Sequence, residues 1–164
     1  MWVERIRDAH ALDRFSCGNE AMDGWLSRFA LDSERTGVSR TYILTEDGVE
    51  VIGYYTLAGM SAEQVELPRV LRRGTPPGVA QPGCLLRRLA VAETRQKQGL
   101  ARDMTVDAVR VAAKAAELIG GRFIAVDPID QRAREIYLNW GFQQIAGDAN
   151  RRLYLSLEQA RKDL

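Results

Sequence analysis

The sequence predicts an α/β fold, a mixed sheet with helices packed on its faces, in one domain over residues 1–164. Three observations carry that expectation. Helical periodicities and short apolar strands alternate in the order α, β-hairpin, long loop, β, α, β, α, β. Hydrophobic residues make up 46% of the chain and charged residues 27%, the balance of a globular protein. A chain of 164 residues can bury roughly 70% of its unfolded surface as one domain. No internal repeat, low-complexity tract or domain boundary interrupts the pattern.

Phe15-Ser-Cys-Gly-Asn19 reads as a turn with Asn19 as a helix N-cap. Behind it Met22, Trp25, Leu26, Phe29 and Ala30 repeat at helical spacing, and Thr36-Gly37 stops the helix. Thr41 to Thr45 is strand-like, Glu46-Asp-Gly48 is a hairpin turn signal, and Val51 to Ala58 is the return strand. Residues 61–84 hold four of the five prolines and read mostly as loop, long enough to suggest a functional role. Leu85 to Val91 is the next strand. A helix from Ala101 sets Ala101, Met104, Ala108, Val111, Ala112, Ala115 and Leu118 on one stripe before Gly120-Gly121 ends it. Arg122 to Val126 is a strand. Pro128 opens the approach to a short helix through Tyr137, and Gly141 ends that helix. Arg152 to Leu157 alternates as a half-buried final strand, with Leu153, Leu155 and Leu157 on the inner face.

Several function classes are disfavoured. No run of about 18 apolar residues exists, so no membrane span is expected. The start, Met1-Trp-Val-Glu-Arg-Ile-Arg-Asp, lacks the apolar core of a secretory signal, and a cytoplasmic location is expected. Cys17 and Cys84 form no C-x-x-C pair, and His10 is the only histidine, which argues against a metal site or a Cys–His pair.

The segment Leu89 to Ala101 holds a different chemistry. It reads as a strand end, a polar loop and a helix start, an order that builds an anion site. A helix N-terminus leaves about four N–H groups unpaired and carries roughly half a positive charge. Gly99 supplies backbone freedom for close approach, and Gln96, Lys97 and Gln98 add donors and one charge. Charge is also segregated. From Arg69 to Arg102 there are eight basic residues and one acidic residue, in a chain of net charge +1. That surplus exceeds the needs of one small anion and suggests a second, polyanionic ligand.

Gln96 to Ala101 fit the pattern Q/R-x-x-G-x-G/A. Asp130-Gln-Arg-Ala133-Arg-Glu-Ile-Tyr137-Leu-Asn-Trp-Gly141-Phe142 fits N-x-x-A-x-x-x-Y-x-x-x-G-F, with Asp130 at the first position. On these motifs the chain resembles the GNAT N-acetyltransferase superfamily. The resemblance implies the GNAT fold, a mostly antiparallel central sheet with helices on both faces. It implies acetyl-CoA as donor, with the pyrophosphate on the loop Gln96, Lys97, Gln98, Gly99, Leu100, Ala101 and Arg102. The pantetheine arm would lie along Leu89, Ala90 and Val91. Tyr137 matches the tyrosine that protonates the leaving thiolate. A phenol of pKa about 10 suits that role, staying protonated at neutral pH yet able to give a proton to a thiolate.

The predicted strand Leu85 to Val91 carries Arg87 and Arg88 and no carboxylate, so a base for deprotonating lysine is missing from it. A lysine amine, of pKa about 10.4, is almost wholly protonated at neutral pH. An α-amine, at about 7.7–8.0, is already neutral in roughly one molecule in ten. Phe15-x-Cys17-Gly18, Met22-Asp23-x-Trp25-Leu26, Gly37 to Tyr42, Ile52 to Leu57 and Arg88-Leu-Ala-Val91 are similar to the TacT-type GNAT toxins of bacterial toxin–antitoxin modules. That resemblance implies aminoacyl-tRNA as substrate, held by Arg69, Arg72, Arg73, Arg87 and Arg88. It also implies a ribbon-helix-helix antitoxin as partner and leaves a homodimer open. Two alternatives stand beside it: an N-acetyltransferase of a small amine or protein N-terminus, and a non-catalytic CoA- or antitoxin-binding module.

Overall fold

Asn19 starts the first long helix as its sequence suggests. In the computed structural model, which describes residues 1–144 and 151–163, its side chain accepts from the Met22 amide at 3.1 Å. The helix α1, Glu20–Thr36, ends on Gly37 in the left-handed region. Leu26 and Ala30 are buried on its inner face, whereas Phe29 of the same expected stripe is exposed.

Six strands hydrogen-bond in the order β1-β2-β3-β4-β5-β6. They are β1 Trp2–Arg5, β2 Arg40–Thr45, β3 Gly53–Ala62, β4 Gln81–Val91, β5 Phe123–Val126 and β6 Leu153–Ser156. The pairs β1–β2, β2–β3 and β5–β6 are antiparallel, and β4–β5 is parallel. A parallel pair needs a crossover, and α3, Leu100–Ile119, supplies it. Two further helices are α4, Gln131–Asn139, and α5, Leu157–Asp163.

Residues 61–84 are more ordered than their prolines suggest. Strand β3 continues to Ala62, a 3₁₀ turn covers Gln64–Glu66, α2 covers Arg69–Arg72, and β4 begins at Gln81. Leu67 and Leu71 are buried and anchor the segment. Pro82 sits exposed in β4, where it needs only to accept; its carbonyl takes the Arg122 amide at 2.9 Å. The final strand also differs. Tyr154 and Ser156 are buried together with Leu153, so β6 is covered on both faces, and Leu157 opens α5 rather than ending the strand. On α3, Met104, Ala108 and Ala112 are buried as expected, while Leu118 is exposed.

The chain divides into two compact units. One comprises Met1–Ala58 and Arg87–Ala108, the other Gly59–Leu86 and Val109–Leu164. The first has a core of Ile6, Leu12, Phe15, Leu26, Ala30, Ile43, Val51, Tyr54 and Ala90. The second is built on Ala62, Leu67, Leu71, Phe123, Ala125 and Tyr154. In the second unit β4 and β5 approach so closely at Gly83 that a Cβ there would stand 2.4 Å from the Phe123 ring. Among the described residues no helix is long and apolar enough to cross a membrane.

Candidate active site

The loop after β4 turns the chain into α3 and leaves backbone amides without protein acceptors. Ala92 closes the strand by donating to the Ile52 carbonyl at 2.8 Å, and a 3₁₀ turn follows over Glu93–Arg95. Lys97 at φ 62° and Gly99 at φ 83° turn the backbone into α3. The amides of Arg102 and Asp103 donate to the Gly99 carbonyl at 3.0 and 3.2 Å, which makes Gly99 the cap of the helix. Among the described residues, none of the amides from Lys97 to Ala101 donates to another protein atom. These are the unspent donors that a helix start offers to phosphate. A Cβ on Gly99 would meet nothing of the protein within 4 Å.

Gln96 has another task. Its carboxamide donates to the Val91 and Cys17 carbonyls, both at 3.0 Å, and its own amide reaches the Glu93 carbonyl at 3.4 Å. The Glu93 amide donates to the Ser16 carbonyl, and the Ser16 hydroxyl donates to the Glu93 carboxylate, each at 2.9 Å. Gln96 therefore ties the loop to the turn before α1, and its side-chain donors are directed at protein carbonyls. Arg95 is likewise committed, to Glu46 at 2.9 Å, and that ion pair holds the Glu46 carboxyl below its usual range. Lys97 and Arg102 are exposed and make no ion pair among the described residues.

Upstream on β4, pairing with β5 stops at Leu86↔Val126. Arg87 to Val91 run on beyond it, with Leu89 half-buried and Ala90 and Val91 buried. Successive residues of a strand point to opposite faces, so Arg87 and Arg88 diverge. Arg87 is exposed. The Arg88 guanidinium lies 3.9 Å from the centroid of the Trp25 ring, and Trp25 stacks near-parallel on Tyr54 with centroids 6.1 Å apart. Phe15 meets Tyr54 edge-on at 5.5 Å. The Tyr54 hydroxyl donates to the Met22 carbonyl at 2.9 Å, and burial pushes its pKa well above the usual phenol range. Trp25 reads from sequence as one more position of an apolar stripe; nothing in its spacing announces a cation on its ring.

In the second unit Asp130 caps α4, accepting from the Ala133 amide at 2.7 Å. An Asn at that position could accept the same bond, so the departure from the motif keeps the helix start. Tyr137 is buried on α4, edge-on to Trp140 at 5.5 Å and to Phe142 at 5.3 Å. Arg69 and Arg73 are exposed. Arg72 is used locally: its Nε donates to the Leu67 carbonyl at 2.7 Å and its Nη2 to Val65 at 3.2 Å. Of the five arginines expected on one docking face, Arg87 and Arg88 belong to the first unit and Arg69, Arg72 and Arg73 to the second. No cluster of three metal-ligating side chains occurs among the described residues. His10 is occupied structurally, its Nδ1 accepting from the Arg7 amide at 3.0 Å and its Nε2 facing Glu4 at 2.9 Å.

No protein-family model matches the chain. A tRNA-acetylating toxin of Mycobacterium tuberculosis is 36% identical over 139 residues, 85% of this chain and 82% of the relative. The structure of AtaT complexed with acetyl-methionyl-tRNAfMet superposes with a TM-score of 0.89 at 27% identity, covering 98% of this chain and 97% of the other. An AtaT variant bound to the C-terminus of the antitoxin AtaR and acetyl-CoA superposes with a TM-score of 0.83 at 26% identity, covering 98% and 96%.

Proposed function

Because the chain belongs to the family of tRNA-acetylating toxins, we propose that it transfers acetyl from acetyl-CoA to the α-amine of aminoacyl-tRNA and thereby blocks translation. The observation that carries this reading is the row of unspent amides from Lys97 to Ala101, at a helix start, in a chain 36% identical to such a toxin. The pyrophosphate of acetyl-CoA lies on those amides, with Lys97 and Arg102 adding charge. The pantetheine arm runs back along Leu89 to Val91 like an added strand, bonding to backbone groups that β5 leaves behind after Leu86.

In the reaction the neutral amine nitrogen attacks the thioester carbon, the C–S bond breaks, and the thiolate takes a proton from the Tyr137 hydroxyl. The nitrogen loses its extra proton to solvent, and solvent returns a proton to the Tyr137 phenolate. An α-amine needs little help to reach its neutral form, which fits a β4 that carries no carboxylate. Once acetylated, the amine is an amide and no longer a nucleophile for peptide-bond formation. The exposed arginines, Arg69, Arg73 and Arg87, draw in the polyanion, and Arg72 contributes chiefly by shaping the α2 loop. The partner expected to silence the enzyme is a small ribbon-helix-helix antitoxin, and the place of action is the cytoplasm, where charged tRNA is found.

The test offers charged tRNA, free amino acids and lysine-containing peptides together with labelled acetyl-CoA. Label should enter charged tRNA. Label entering free amines or peptides while sparing charged tRNA would make the protein an ordinary N-acetyltransferase instead.

A further inference from the structure

Arg88 is the one basic residue of the basic segment that is both half-buried and without an acceptor among the described residues. Among the described residues no carboxylate or carbonyl takes its N–H groups, and its guanidinium lies over the Trp25 ring at 3.9 Å. Burial, with the like charge of Arg87 beside it, pulls its pKa below the ordinary value. A guanidinium stacked on an aromatic face, with no protein acceptor and none of its nitrogens sealed from solvent, keeps its donors open to a ligand. Trp25 is itself fixed, packed on the first unit's core and stacked on Tyr54 at 6.1 Å. The guanidinium thus has a fixed ring beneath it before any ligand arrives.

We propose that Arg88 is a preset clamp for one phosphate of the nucleic-acid acceptor, the phosphodiester nearest the aminoacylated 3′ end. This rests on the reading of the loop and of β4 given above. Planar, bidentate recognition of an oxyanion is what a fixed guanidinium does best. Position along β4 chooses between the two phosphate sources. With the pyrophosphate beyond Val91 and the pantetheine arm on Leu89 to Val91, Arg88 follows at the acyl end of the strand. There it meets the acceptor and lies away from the phosphates of CoA. A clamp at this point favours an amine carried on a nucleotide over a free amino acid, which has no phosphate to offer.

Lysine cannot reproduce a stacked, bidentate contact, so Arg88→Lys should fail nearly as badly as Arg88→Ala. Both should lower kcat/KM for charged tRNA on the order of 10²-fold, the usual consequence of breaking a partly buried charge pair. Acetyl-CoA affinity by calorimetry should stay within about twofold. Trp25→Phe, which keeps a ring under the cation, should recover part of the activity that Trp25→Leu loses. An uncharged minihelix ending in CCA reports the contact without chemistry; Arg88→Lys should weaken its binding, and the exposed control Arg110→Lys should not. Full activity and full minihelix binding in Arg88→Lys would overturn the clamp. A matching loss of acetyl-CoA affinity would overturn it too, by giving the phosphate to the cofactor. Wild-type protein that binds the minihelix yet leaves charged tRNA unacetylated would refute the proposed reaction and leave the clamp standing.

Discussion

Replacing Gly99 separates backbone strain from ligand contact, because the fold contains a matched control. Gly99 and Gly120 have φ values of +83° and +84°, and a Cβ at either position would meet nothing of the protein within 4 Å. Alanine at each should therefore cost only its left-handed backbone, about 1–2 kcal/mol, or about 2–8 °C of melting temperature for a chain of this size. The two glycines differ in what else stands nearby. Gly99 caps α3 beside the unspent amides, and a Cβ there would enter the space assigned to the pyrophosphate. Gly120 follows the far end of the same helix. Gly99→Ala should weaken acetyl-CoA binding by about tenfold or more, equivalent to about 1.4 kcal/mol, and Gly99→Glu should weaken it further by adding like charge. Gly120→Ala should bind as the wild type does. Calorimetry gives the affinities, and thermal unfolding of the same samples gives the strain. Equal acetyl-CoA affinities in the Gly99 and Gly120 variants would refute the assignment of the loop.

Tyr137→Phe keeps the ring between Trp140 and Phe142 and removes the proton, so kcat should fall about 10²–10⁴-fold with acetyl-CoA affinity nearly unchanged. Expressed in a bacterial host, the same variant should relieve any growth arrest that the wild type causes; arrest of equal strength would return Tyr137 to a packing role. Arg69→Ala and Arg73→Ala should each shallow the salt dependence of tRNA binding by about 0.7–0.9 in the log–log slope if each neutralises a phosphate. Arg72→Ala should instead lower stability by about 1 kcal/mol, because it frees the Leu67 and Val65 carbonyls. Cys17, whose thiol is pushed up to about 11 chiefly by burial, should alkylate far more slowly at pH 8 than an unperturbed thiol.

The parts of the fold that announce themselves in sequence are those with caps and long periodicities. Asn19 and Gly37 bound α1, and the apolar run Phe123–Val126 is a buried strand that looks like one. The parts that escape are short. Strand β1 has four residues, two of them charged, at the edge of the sheet, and offers no alternation to read. Helix α2 is a single turn behind Pro68, held by Leu67 and Leu71 rather than by propensity. At the candidate site the turn into α3 was legible because Gly99 and the helical pattern behind it lie in consecutive residues. The work of Gln96 was not, since its partner Cys17 is 79 residues away in sequence. Nor was the pairing of Arg88 with Trp25, which joins a strand residue to a helix residue that patterning alone assigns to the core.

The acetyl group itself answers the central question. Charged tRNA incubated with the protein and acetyl-CoA can be digested to its 3′-terminal aminoacyl-adenosine and sequenced by fragmentation in a mass spectrometer. One acetyl group on the α-amine of the esterified amino acid, absent when Tyr137→Phe replaces the wild type, is the predicted result. Unmodified aminoacyl-adenosine, with the acetyl found on free amines or on protein side chains in the same reaction, would contradict it.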